Sequence, residues 1–200
     1  MGFYDRHVLP RLISFSMDQR MLAPCRRRVA GAARGRVLEV GVGAGANLPF
    51  YGPGVDELIG LEPSAPRLER ARRRAAGTPA RFLEAAAEDI PLDSRSVDTV
   101  VMSFTLCSLP RAPEALAEIR RVLKPGGALL FVEHGRGPEP RVQRAQDRLT
   151  PLWRRIAGGC RLNLKVDEAL VAAGFRLERL STGYLGSRSP FTFIYEGGAT

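Results

Sequence analysis

No apolar run in this sequence approaches the roughly 18 residues that a membrane-crossing helix requires. The opening residues, Met1-Gly2-Phe3-Tyr4-Asp5-Arg6-His7, lack the apolar stretch and small-residue cleavage site of a signal peptide, so a cytoplasmic location is expected. Cysteine is scarce. Cys25, Cys107 and Cys160 are odd in number and far apart, which argues against a disulfide framework. Neither they nor His7 and His134 stand at zinc-ligand spacing, so no metal site is expected. Each cysteine reads first as a small buried hydrophobe. Repeats, low-complexity tracts and linker-like stretches are missing, and 200 residues leave little room for a second domain.

Lysine is almost absent too, confined to Lys124 and Lys165, yet the formal charge is +9. The excess is arginine. A basic balance suits nucleic acid, a membrane surface or an acidic substrate. Here the arginines are scattered over helix-like segments such as Arg70 and Arg72 to Arg74, beside Glu62 and Glu69. That distribution indicates a compositional bias, and no nucleic-acid partner is expected.

What is present is an alternation of short β-branched runs with longer amphipathic segments, the pattern of βαβ units around a parallel sheet. Strands are predicted over 36–40, 57–62, 81–85, 97–103 and 128–133. Residues 175–180 and 191–195 are predicted to form an antiparallel pair at the sheet edge. Ser64 is expected to cap a helix running to about Ala76 and ended by Gly77 and Pro79. A second helix over about 113–123 places Leu116, Ile119, Val122 and Leu123 on one face, with Pro125-Gly126-Gly127 as its stop. Helices are also expected over 141–156, broken or kinked at Pro151, and over 166–173, closed by Gly174. Residues 4–33 are expected to form helices over the ligand-binding edge of the sheet.

Gly41, Gly43 and Gly45 follow the first strand in the arrangement strand, Gly-x-Gly-x-Gly, helix. Glycine there lets the backbone turn tightly and lets a ligand approach without an intervening Cβ. Glu62, at the end of the second strand, is where an acid binds the two ribose hydroxyls of an adenosine. That position fits either a nicotinamide dinucleotide or S-adenosylmethionine. Two residues favour the second. Position 46, where the dinucleotide fingerprint has its third glycine, is Ala46. Glu39 sits two residues before Gly41, where its carboxylate suits a cationic methionyl end and would repel a pyrophosphate.

Four ordered motifs carry a resemblance: residues 37–45, Leu61-Glu62-Pro63, residues 86–92, and residues 120–127 with their Lys124-Pro125-Gly126-Gly127 end. With 97–101 they span about residues 36 to 134, and in this order they resemble the class I S-adenosylmethionine-dependent methyltransferases of small molecules. The resemblance implies a Rossmann-like α/β sandwich, with a seven-stranded, mostly parallel sheet and one antiparallel edge strand. It implies S-adenosyl-L-methionine as cofactor and S-adenosyl-L-homocysteine as product. By the same resemblance Ala87 and Glu88 flank the adenine, Ser103 and Phe104 border the methyl-donor pocket, and Asn47 and Pro63 join the cofactor set. The implied layout is one methyltransferase domain over 1–200: a helical lid (1–33), a cofactor-binding core (34–134), and substrate-side helices with a terminal hairpin (135–200). Gly45-Ala46-Asn47, Leu106-Cys107-Ser108, Glu133-His134, Pro151-Leu152-Trp153 and residues 159–163 are similar to their counterparts in membrane-associated alkyl-thiol S-methyltransferases. Bacterial relatives of that type are labelled phosphatidylethanolamine N-methyltransferases. Their hydrophobic N-terminal anchor has no counterpart in residues 4–10, so only peripheral membrane contact is expected.

Methyl transfer asks the protein to align a nucleophile within about 3–3.5 Å of the methyl carbon and to exclude water. A thiol of pKa about 8.5 needs only about 2 kcal/mol to ionise at pH 7, and an ammonium near 10.4 more than twice that. A small-molecule thiol, or a similarly soft nucleophile, is therefore the expected acceptor, with phospholipid N-methylation as the alternative. His134, at the carboxyl end of the fifth strand, is the candidate general base. Cys107 is a candidate for the acceptor pocket, and Tyr4, His7 and Trp153 are candidates for its substrate side. A nucleic-acid methyltransferase fits less well, because Ser103-Phe104-Thr105-Leu106 replaces the Asn/Asp-Pro-Pro-aromatic tetrad that holds a target base. A non-enzymatic cofactor-binding protein fits poorly with an intact Glu39, Gly41, Gly43 and Glu62. The sequence leaves the oligomeric state open.

Overall fold

Strand β4 (Val97–Ser103) has every residue but Asp98 buried, as suits a strand covered on both faces of a parallel sheet. In the computed structural model, which describes residues 20–75 and 79–200, this strand lies at the centre. β1 (Gly35–Val40) and β5 (Leu123–His134) flank it in parallel. β2 (Val55–Leu61) and β3 (Ala80–Leu83) continue the sheet beyond β1, and β7 (Phe193–Ala199) and β6 (Leu177–Tyr184) continue it beyond β5. The order is β3-β2-β1-β4-β5-β7-β6, and β7 alone opposes its neighbours, one place in from the edge. This is the seven-stranded, mostly parallel sheet that the resemblance implies, with β7 and β6 the antiparallel pair at its edge.

Successive strand residues face opposite sides, so each strand serves two cores. On one side Val37, Val101, Val132 and Ile194 pack against Cys25 and Val29 of helix α1 (Ala23–Gly31). On the other, Leu38, Val100, Met102 and Phe131 meet helices α3 (Ala112–Val122) and α5 (Val166–Ala172). Leu116, Ile119 and Val122 recur at helical spacing on the face that α3 buries, as expected. Helix α2 (Ala65–Arg74) sets Leu68 and Ala71 against Val42 and Phe82. At roughly 1.5–3 kcal/mol for each fully buried large side chain, these two cores outweigh any surface ion pair.

Several boundaries depart from the sequence reading, each for a local reason. No α-helix follows the glycine loop. A 3₁₀ turn (Leu48–Phe50) stands there, because Pro49 lacks an N–H and Gly52, Pro53 and Gly54 follow at once. Ser64 occupies the N-cap of α2 without a side-chain capping bond; its own N–H goes to Glu62 instead, and the helix stops at Arg74. β5 begins at Leu123 and runs through the Pro-Gly-Gly segment, since a left-handed Gly126 and a register shift against β4 let the strand bulge rather than end. Helix α4 (Pro140–Ile156) continues through Pro151. β6 and β7 begin two residues later than predicted and extend to Tyr184 and Ala199. Of the expected N-terminal helices, α1 is described; residues 4–19, with Tyr4 and His7, lie outside the described residues. Among the described residues no helix is long and apolar enough to cross a membrane.

Candidate active site

The order of strands reverses at β1: the chain leaves it for β2 on one side and returns to β4 on the other. A crevice opens there, beyond the carboxyl ends of the strands. The glycine loop floors it. The N–H groups of Gly41 and Val42 both donate to the Leu61 carbonyl, at 2.8 and 3.0 Å, which staples the loop to the end of β2. Gly41 has φ +73°, and a Cβ on it would strike the Thr105 side chain. Gly43, at φ +57°, has no heavy atom closer than 3.9 Å to where a Cβ would stand, so its bare face is turned to open space. Gly45 packs against Leu48 and Ala71 behind the loop.

Two buried carboxylates border the crevice. Glu39 accepts hydrogen bonds from Asn47 Nδ2 (2.9 Å) and the Tyr51 hydroxyl (2.8 Å). Asn47 Nδ2 also reaches Ser103 Oγ at 3.0 Å, and Asn47 Oδ1 accepts from Arg26 at 2.6 Å. Asn47 is thus wholly enclosed and stands behind Glu39 as its support, rather than on the crevice surface. Burial pushes Glu39 up to about 7, against the opposing pull of Tyr51, Arg26 and Asn47. Glu62 is held by the Ser64 N–H (2.9 Å) and by Arg67 (3.0 Å), and it too is raised by burial. Arg67 Nε is buried with no hydrogen-bond partner among the described residues.

The other end of the crevice is built on the turn after β4. Phe104 adopts φ +55° there, a left-handed conformation rare for an aromatic residue. Its N–H bonds the Val132 carbonyl at 2.8 Å, and the Thr105 and Cys107 N–H groups donate to the enclosed Glu133 at 2.9 and 3.4 Å. Burial pushes Glu133 up to about 8 despite those donors. Cys160 is brought alongside by two bonds, from the Arg161 N–H to the Cys107 carbonyl (2.8 Å) and from Arg161 Nε to the same oxygen (3.3 Å). His134 Nδ1 lies 4.0 Å from Cys160 Sγ, while His134 Nε2 is buried with no hydrogen-bond partner among the described residues. Trp153 leans on Phe191, ring centres 4.8 Å apart.

These features share one cavity of about 710 Å³, within the range of small-molecule sites, roughly 300–1,000 Å³. It runs from Glu39, Gly41, Gly43, Glu62 and Pro63, past Ala87 and Glu88, to Ser103, Phe104, Cys107, His134 and Trp153. Gly45 and Asn47 fall outside its surface, and Tyr4 and His7 outside the described residues. Sequence reasoning missed Arg26, Tyr51, Arg67, Glu133 and Cys160 as members of this site. Only Arg67 carried a local signal, standing one turn into the helix that follows Glu62.

The cavity suits S-adenosylmethionine. Its two carboxylates match a nucleoside diol and an ammonium, the alanines at 85–87 offer a flat apolar flank, and Glu39 stands where a pyrophosphate would be repelled. Fold and site together define an S-adenosylmethionine-dependent methyltransferase of the Rossmann-like class I type. Residues 38–131 match the methyltransferase-domain family. A phosphatidylethanolamine N-methyltransferase of Cereibacter sphaeroides is 33% identical over 67% of this chain and 70% of its own length. The chain belongs to this methyltransferase family. A thiol S-methyltransferase of Homo sapiens is 37% identical over 72% of this chain and 62% of its own. The chain spans only 58–59% of the length of other curated relatives. Among solved structures, one from Thermotoga maritima described as an S-adenosylmethionine-dependent methyltransferase, possible histamine N-methyltransferase, superposes with TM-score 0.70 at 22% identity. It covers 98% of this chain and 97% of its own. At that identity the likeness concerns the fold.

Proposed function

We propose that this enzyme methylates a small, soft, hydrophobic nucleophile, a thiol in the first instance. One observation carries the reading: the cavity ends at His134, whose Nε2 is buried and unpartnered, among the apolar or sulfur-bearing walls of Leu109, Cys107, Cys160, Trp153 and Ile194. A charged amine or phosphate would be poorly solvated there. The thiol S-methyltransferase of Homo sapiens is similar over most of this chain.

The bound cofactor supplies an electrophilic methyl group. Glu39 would hold the ammonium at its methionyl end, and Glu62 the ribose hydroxyls. Gly41, Gly43 and Pro63 leave room for the backbone-side approach, with Gly45 setting the loop on α2 and Asn47 setting Glu39. Ala87 and Glu88 would flank the adenine, and Ser103 and Phe104 border the reacting methyl. His134 Nε2 would take the acceptor proton, its Nδ1 side steadied by Cys160. Cys107 and Trp153 would shape the acceptor pocket. In this layout residues 34–134 serve the cofactor and 135–200 the acceptor, while α1 packs on the sheet and brings Arg26 to the cavity.

A second reading, phospholipid headgroup N-methylation, is favoured by one feature of the cavity mouth. Leu149, Leu152 and Ile156 of α4 are exposed in a stripe beside Trp153, with Arg148, Arg154 and Arg155 alongside. A panel of alkyl thiols, amines and phospholipid vesicles, read by S-adenosylhomocysteine release, separates the two. Turnover with thiols is expected; turnover confined to lipid would overturn the first reading.

A further inference from the structure

Two of the three cysteines meet at the acceptor end of the cavity. Cys107 sits on the 3₁₀ turn Leu106–Ser108, which Glu133 fixes through backbone N–H groups, and Cys160 sits on the segment that follows α4. That segment is pinned to the turn: the Arg161 N–H bonds the Cys107 carbonyl at 2.8 Å, and Arg161 Nη2 reaches the Leu106 carbonyl at 3.2 Å. The packing is close at Gly159 too, where a Cβ would stand 3.0 Å from the Ser108 carbonyl. The two cysteine backbones therefore run side by side, and both side chains line the cavity. Cys25 is elsewhere, on α1 beside Arg28 and Glu196.

We propose that Cys107 and Cys160 form a reversible dithiol–disulfide site, closed by a peroxide that enters the acceptor cavity. Cys160 is the sulfur that reacts first. The Cys107 thiol and then the His134 imidazole, 4.0 Å away, stabilise its thiolate and hold its pKa below the usual range, while Cys107 is pushed up and stays protonated. A low-pKa thiolate open to a cavity beside a second thiol is the arrangement that redox-sensitive cysteines share. The Cys160 sulfur attacks one peroxide oxygen, the O–O bond breaks, and hydroxide leaves with Cys160 as a sulfenic acid. The Cys107 sulfur then attacks the Cys160 sulfur, the S–O bond breaks, and that oxygen departs as water. That water carries the Cys107 proton, and the proton that Cys160 shed on ionising makes water of the hydroxide from the first step. Two thiols lose two electrons in total, and the peroxide is reduced to two waters.

Closing the pair draws the sulfurs to about 2.05 Å, pulling Cys160 off His134 and moving the wall against which an acceptor would lie. The bond itself needs no methyl transfer; only its effect on turnover rests on the proposed function. The test treats the reduced, purified enzyme with a slight excess of hydrogen peroxide. Intact mass is expected to fall by about 2 Da with the loss of two free thiols, and peptide mapping to join positions 107 and 160. Cys25→Ser should respond in the same way. Cys107→Ser should instead leave a sulfenic acid at Cys160 that dimedone captures. Thiol methylation by the oxidised unsubstituted enzyme should drop by about tenfold or more, the scale on which ångström displacements act, and a phosphine reductant, which is no thiol acceptor, should restore it. Unchanged thiol titre, a bond involving Cys25, or a bond between chains would overturn the proposal. An intact 107–160 bond with no thiol methylation in either state would instead count against the acceptor assignment alone.

Discussion

Glu39 is the residue on whose charge the proposed cofactor site depends. It is fully enclosed, its oxygens are taken by Asn47 and Tyr51, and burial lifts it to about 7. A cation arriving beside it favours the ionised form, so binding should expel a proton whenever the pH lies below that value. Affinity for S-adenosylmethionine is accordingly expected to rise with pH up to about 7 and to level off above. Glu39→Gln should abolish the slope and weaken binding by roughly tenfold or more, the worth of a charged hydrogen bond. Calorimetry in buffers of different ionisation enthalpy reads both quantities. A flat affinity with no proton release would remove Glu39 from the ammonium. At this scale the sequence was partly legible: Glu39, Glu62 and the glycines announce themselves because they stand at fixed offsets from a strand end. Arg26 and Tyr51 do not, since no local pattern marks either, and Cys160 was legible only within the resemblance over residues 159–163.

The turn after β4 is the element that joins the Glu39–Glu62 half of the cavity to the Cys107–His134 half. Its left-handed Phe104 costs on the order of 1–3 kcal/mol, a strain that holds only because neighbouring bonds fix the geometry. Those bonds come from the Val132 carbonyl and the Glu133 carboxylate. Glu133→Ala would strand buried N–H groups at about 1–3 kcal/mol each. A destabilisation of roughly 2–5 kcal/mol is expected from the urea midpoint at constant m-value, with methyl transfer lost ahead of cofactor binding. A change under about 0.5 kcal/mol, the scatter of ordinary surface substitutions, would contradict this role. The bounds of β4 were readable to the residue from its run of Val97, Thr99, Val100 and Val101. Those of β5 and β7 were not. Pro125-Gly126-Gly127 reads as a stop signal but is used as a bulge, and Gly197 reads as a breaker but is required where a Cβ would strike the Arg179 backbone.

For the whole molecule, burial of acids sets a pH dependence that the surface does not. Glu39 and Glu133 sit at about 7 and about 8 when folded, well above the value near 4.5 of an exposed glutamate. Between those limits the folded chain binds more protons than the unfolded one, so their contribution is present at low pH and drains away as pH climbs towards 8. Asp98, Glu118 and Asp147, held low by their basic partners, act oppositely and only below about 4.5, and being at least partly exposed they count for less. Melting of the cofactor-free protein should therefore decline more steeply from about pH 5 to pH 8 than that of Glu39→Gln/Glu133→Gln. Parallel profiles would show that neither acid is shifted. The strands of the sheet were legible in outline from their alternation with helices, because burial on both faces leaves a near-continuous apolar record in sequence, but their order was not. The acceptor pocket was not, being assembled from β5, α4 and the loop after it by contacts that no periodicity encodes.

The measurement that bears most directly on the account is kcat/KM for an alkyl thiol against pH, for the unsubstituted enzyme and for His134→Ala, with cofactor affinity determined alongside. Loss of a general base should lower kcat/KM at pH 7 by about 10²–10⁴-fold, leave S-adenosylmethionine binding nearly intact, and be partly recovered near pH 8.5, where the acceptor ionises by itself. An alkyl thiol turned over equally well by both proteins at pH 7, or by neither at any pH, would contradict it.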